Sequence, residues 1–160
     1  MCLRLTTVEP EVAQEDIIVF KMLRFTPKKG LTAPFRYTPY NLGVVIEMDN
    51  PERFVSSEKY SAYRGHVVEE GIHSFSDLGA AYDIAKDRDR LYYRLGYKME
   101  RTDREFFVFV AVIPKGTKYF RGKFNNVESY ASERLIVLDR NDPRSLQYMT
   151  NLPPNVEAVF

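Results

Sequence analysis

Cys2 carries the sharpest chemistry in this chain of 160 residues, being its single thiol and standing next to Met1. Removal of Met1 would leave an α-amino group beside the thiol, the pair in which an amine serves as base for an N-terminal nucleophile. In the glutamine amidotransferases that use this pair, glycine follows the cysteine to allow close backbone approach, whereas Leu3-Arg4 follow here. The expectation for Cys2 is therefore an ordinary thiol. The two histidines, His66 and His73, flank Gly71 without the HExxH or HxH spacing of a metal site on one element. No metal is expected. His73 stands just before a predicted helix, where a general base could sit, but a hydrogen-bonded structural histidine is the plainer expectation. The chain holds no GxSxG, P-loop or GxGxxG motif, and Gly116-Thr117-Lys118 precedes a strand where a phosphate loop should open a helix.

Three further positions stand at the ends of predicted elements: Arg24, the Ser74-Phe75-Ser76 run, and Glu133. Their order resembles the plan of ADP-ribosyltransferases of the Arg–Ser–Glu type. That family places Arg at the end of the first core strand, Ser-x-Ser at a strand end before a helix, and Glu at the start of a late strand. The resemblance implies an NAD cofactor. Arg24 would grip its nicotinamide-side phosphate, Ser74 would hold the sugar region, and Glu133 would stabilise the oxocarbenium-like state. The phrase VIPKGTKYF also resembles the sheet of such enzymes. The chain departs from the family in having Phe75 at the centre of Ser-x-Ser and Ala131 where an acid precedes the catalytic Glu. The competing expectation is that Ser76 caps the helix and Glu133 is a solvated strand-end residue.

The elements that must hold these residues follow from period and punctuation. Residues 1–14 contain Pro10 and no clear period, predicting a leading arm. Residues 16–24 are β-branched and aromatic and predict a strand, with Lys21 marking its polar side. Residues 25–40 hold three prolines and predict a long loop or broken hairpin; residues 43–48 predict a strand stopped by Asp49-Asn50-Pro51. Residues 67–75 predict a short strand interrupted by Gly71. Leu78, Ala81, Tyr82 and Ala85, at i, i+3, i+4 and i+7, predict a helix over about 76–87 that packs on a sheet. Strands are predicted at 91–99, 105–113, 119–124 and 133–138, with a tight turn at Pro114-Lys115-Gly116. One helical turn is expected at 144–149, within a tail spanning 140–160. The fold class is α+β: one domain over 1–139, mostly antiparallel sheet with one dominant helix, with ADP-ribosyltransferase topology as a more specific alternative.

Composition bounds the function. Lys and Arg number 23 against 22 acids, without the basic excess that phosphate neutralisation needs, so no nucleic-acid partner is expected. The cluster from Arg88 to Asp103 mixes both signs and reads as a solvated face. No run reaches the roughly 18 apolar residues of a membrane span. Met1-Cys2-Leu3-Arg4 lacks an apolar leader, and one cysteine excludes an internal disulfide, so a reducing cytosol is expected. With 11 Tyr, 11 Phe and no Trp, the chain suits a small β-rich core or a wet contact surface.

The phrases MCLRL, EDIIVFKML, APFRYTPYNLG, EEGIHSF, VIPKGTKYFRGKF and YASERLIVL together resemble a family of small uncharacterised proteins of tailed phages, prophages and gut Bacteroidetes. The resemblance spans residues 1–139 in blocks and brings no assigned activity. It implies a soluble accessory protein in the host cytoplasm, with a host-interaction or anti-defence role, or a component of the virion. The leading expectation is accordingly a protein-binding module without cofactor. Its contact residues are Arg36, Tyr37 and Tyr40 on one loop and the separate pair Tyr60 and Tyr63. Catalysis by Arg24, Ser74 and Glu133 with NAD is the alternative. Oligomeric state is not legible.

Overall fold

The computed structural model describes residues 3–34, 38–58, 65–94 and 106–149. Among these, twelve strands join into one sheet, every pairing of which is antiparallel. Its long central strand is β3 (Ile17–Thr26), ten residues after Asp16 that are β-branched, aromatic or aliphatic except for Lys21 and Arg24. The short strands before it are β1 (Arg4–Leu5) and β2 (Glu11–Val12), and β4 (Gly30–Thr32) folds back on its end. The remaining strands are β5 (Val45–Glu47), β6 (Ser56–Ser57), β7 (Val67–Val68), β8 (Ile72–Phe75), β9 (Phe106–Ile113), β10 (Lys118–Phe124), β11 (Val127–Ser132) and β12 (Arg134–Val137). Across the sheet they run β5-β12-β9-β3-β8-β11-β10-β1-β7-β6.

Two helices lie against this sheet, α1 (Leu78–Arg94) and α2 (Pro143–Met149). α1 begins where Asp77 Oδ2 accepts from the Ala80 N–H, and its Ala81 and Ala85 enter one core with Phe20, Met22, Phe75, Phe106, Val110 and Val112. The helix continues past the expected end at 87, so residues 91–94 are helical where a strand was expected. α2 is capped by Asp142, and Tyr148 meets Phe20 edge-on with ring centroids 5.3 Å apart. The tail thus begins as a packed element.

The opposite sheet face carries a second core. It gathers Val19, Leu23, Phe109, Ala111, Ile113, Ile72, Tyr119, Tyr130, Leu135 and Val137 under Tyr40, Leu42 and the residues near them. β3 is therefore buried on both sides. Lys21, expected to mark a polar face, is in the core instead, because Leu31, Ala33, Tyr40, Leu42, Ile46 and Met48 cover the face it was assigned to. A third cluster unites Leu3, Phe54, Val68, Phe120 and Ala131.

The leading arm is woven into the sheet. β1 pairs with β10 and β7, while β2 pairs with the start of β10. The turn at Pro114-Lys115-Gly116 forms as expected, with Gly116 at φ +83° and the Thr117 N–H bonded to Pro114 O. Strand β11 was not expected. It follows a two-residue turn in which Asn125 and Asn126 take φ of 49° and 62°, the left-handed pair that hairpin twist favours.

Candidate functional site

Alternation along β3 sends Ile18, Phe20 and Met22 toward α1 and Val19, Lys21 and Leu23 toward the other core. The same alternation along β8 sends His73 and Phe75 toward the α1 side, where the His73 ring stands 4.6 Å from Phe75 and 5.0 Å from Phe124. Ile72 and Ser74 face the Tyr40 side. On β11, Tyr130 is directly opposite Ser74, and on β10, Arg121 is directly opposite Tyr130. β3 joins β8 at Phe20↔Phe75; the residues next along, Lys21 and Ser74, share the face opposite α1, and the Lys21 Nζ reaches the His73 carbonyl beside Ser74. Four adjacent strands therefore carry one row across the face: Lys21, Ser74, Tyr130, Arg121.

The buried end of the row is Lys21, at 5% exposure. Beyond Phe20↔Phe75 the β3–β8 ladder stops, and the Lys21 Nζ donates a 2.6 Å hydrogen bond to His73 O, the carbonyl that leads into Ser74. The ammonium lies 5.5 Å from the centroid of the Tyr40 ring. Burial pushes Lys21 down to about 8 from its ordinary 10.5, since water is replaced by aliphatic and aromatic carbon. Burial likewise pushes the Tyr40 hydroxyl up to about 12. Ser74 is wholly buried, and among the described residues its Oγ has no hydrogen-bond partner. His73 Nε2 is also without one, and burial, helped by the Lys21 charge, holds that ring down at about 3.

The open end is Arg121. Its Nε donates to Glu11 Oε2 at 2.8 Å and its Nη2 to Tyr119 Oη at 3.4 Å. The guanidinium carbon lies 5.8 Å from the Tyr119 ring centroid and 5.9 Å from that of Tyr130. Hydrogen bonds donated to Tyr119 and Glu11 raise Arg121 above its ordinary range, and the bond from Arg121 holds Glu11 below its own. The Arg121 side chain remains 46% exposed. In the next row out, Arg4, Lys123 and Glu128 are opposed in register and exposed, and Ser76 Oγ donates to Glu128 O.

The residues singled out in the sequence fall differently. Arg24, near the end of β3, is opposite Phe106 and shares the α1 side with it, whereas Ser74 faces the other way. Glu133 lies at the bend between β11 and β12. Its N–H donates to Lys118 O, and its carbonyl accepts from Met48 N. Arg24 and Ser74 are thus not brought to one face. Tyr40, expected on a contact loop, is in the core at 8% exposure because its ring covers Lys21. Arg36, Tyr37, Tyr60, Tyr63 and Cys2 lie outside the described residues. Among the described residues no His, Cys, Asp and Glu set is grouped to hold a metal ion. Lys21, Tyr130 and Arg121 were missed by sequence reasoning; the one signal for Lys21 was a lone cation inside an apolar run.

No family model, no curated protein and no solved structure matches this chain.

Proposed function

We propose that the chain is a small accessory protein of the phage type that acts by binding a protein partner, with Arg121 as the anchor of the contact. The observation that carries this reading is the preorganisation of an exposed cation. Arg121 is held over two tyrosine rings and tied to Glu11. A side chain already ordered loses little rotamer freedom on binding, and arginine set on aromatics is a frequent energetic centre of interfaces. Arg4, Lys123 and Glu128 give it a polar rim. In this reading the protein acts in the host cytoplasm, and incorporation into a virion is the other setting.

Affinity capture from a bacterial host lysate tests it. The wild-type chain should retain a protein that Arg121→Ala loses while keeping its melting temperature within a few degrees, because an exposed ion pair contributes about 1 kcal/mol or less. Equal retention by the variant removes Arg121 as the anchor. Retention of nothing by the wild type removes the binding reading.

A second reading, an ADP-ribosyltransferase-like fold that binds NAD, is favoured by the placement of strands. Ser74-Phe75-Ser76 closes β8 directly before α1, and β8 lies between β3, which bears Arg24, and β11. It stands second because Arg24 and Ser74 are on different faces. Millimolar NAD should raise the melting temperature if this reading is right, since a ligand of the native state stabilises it by mass action. An unchanged melting temperature rejects it.

A further inference from the structure

We propose that Lys21 and Ser74 together form a binding site for one small oxyanion group, a carboxylate or a phosphate, enclosed beneath the ring of Tyr40. Two donors on the same sheet face lack an acceptor of matching charge. The Lys21 ammonium has His73 O as its one hydrogen-bond acceptor among the described residues. Beside it stands the Tyr40 ring, and burial is what lowers its pKa; among the described residues no carboxylate is paired with it. The Ser74 hydroxyl, on the neighbouring strand and the same face, is wholly buried and unpartnered among the described residues.

A buried ammonium without a counter-charge and a buried hydroxyl without a partner are both unfavourable, and each is relieved by a hydrogen-bond acceptor. A water molecule would satisfy the hydroxyl and one ammonium proton but leave the positive charge uncompensated. An oxyanion satisfies both donors and the charge. The geometry also orders the contacts. Lys21 supplies the charge, Ser74 supplies a neutral donor beside it, and Tyr40 supplies the cover. The site is separate from the Arg121 platform, which already has its own carboxylate in Glu11. It therefore stands or falls apart from the protein-binding reading.

The test is a thermal-shift titration of the full chain with sodium acetate and, separately, sodium phosphate, each against sodium chloride at matched ionic strength. Lys21→Met and Ser74→Ala are run alongside. A saturable rise with acetate alone assigns a carboxylate ligand, and one with phosphate alone assigns a phosphate. In either case Lys21→Met should abolish the rise. Ser74→Ala should weaken the apparent affinity by roughly tenfold, the loss expected for one hydrogen bond to a charged group. Should Lys21→Met not fold, Ser74→Ala alone decides, as it removes only a hydroxyl. The proposal is overturned if neither salt exceeds chloride, or if the rise survives unchanged in the variants.

Discussion

The ammonium of Lys21 lies 5.5 Å from the centre of the Tyr40 ring, so a residue from the loop after β4 roofs a cation from the middle of the sheet. The consequence is that Tyr40 is a structural residue first. Tyr40→Ala should lower stability by about 3–5 kcal/mol, the range for removing a large aromatic from a core. Urea unfolding at neutral pH measures it. A cost below about 1 kcal/mol would show that the ring packs on nothing.

Lys21 sets a pH dependence on the alkaline side. Its folded value is about 8 against 10.5 unfolded, so between those limits the unfolded chain binds more protons and stability rises with pH. The gain is on the order of 3 kcal/mol from pH 8 to 10.5. Lys21→Met should flatten this rise and be at least as stable as the wild type near pH 7. Parallel curves for the two proteins would place the ammonium in water.

His73 acts in the acid range. The folded ring resists protonation until about 3, while the unfolded one takes its proton near 6.5. Stability is therefore full above about 6.5 and lost as pH falls toward 3, by a loss on the order of 4 kcal/mol. His73→Phe keeps a ring against Phe75 and Phe124 and removes the titration. Its unfolding midpoint should fall less than the wild type's between pH 6.5 and 4. An identical fall in both would clear His73 of the effect.

Gly122 on β10 stands opposite Leu5 of β1. A Cβ there would lie 2.3 Å from Arg4 O, and backbone cannot yield as a flexible side-chain end can. Gly122→Ala should cost about 3 kcal/mol by forcing β1 away. Hydrogen exchange should then report loss of protection at Leu5 and Thr6, whose N–H groups bond to His66 O and Arg121 O. Retained protection would mean that the strand accommodates the methyl group.

The sequence by itself determined the elements whose signals are local. β3, β9 and β12 follow from β-branched and aromatic runs, the turn at Gly116 from Pro and Gly, and the start of α1 from Ser76-Asp77 before Leu78, Ala81 and Ala85, although the capping side chain is Asp77, while the expected Ser76 donates to Glu128 O instead. Short or unpatterned elements were not legible. β1 and β2 have two residues each, too few for a period, and form where β10, and for β1 also β7, supplies partners. β11 is buried through small and polar residues, Ser129, Tyr130, Ala131 and Ser132, so it shows no apolar alternation. The apolar triplet Leu91-Tyr92-Tyr93 suggested a strand, yet it lies within α1, where elongating a helix already begun adds one hydrogen bond for each residue ordered.

Tertiary structure decided the site. Period two assigns Lys21 a face but not what covers that face, and the cover comes from Tyr40, nineteen positions on in the chain. The row from Lys21 to Arg121 depends on the registers Phe20↔Phe75, Ser74↔Tyr130 and Tyr130↔Arg121. Strand register is settled by burial of whole faces, since a slip of one residue turns every side chain over. Separation along the chain carries no trace of it.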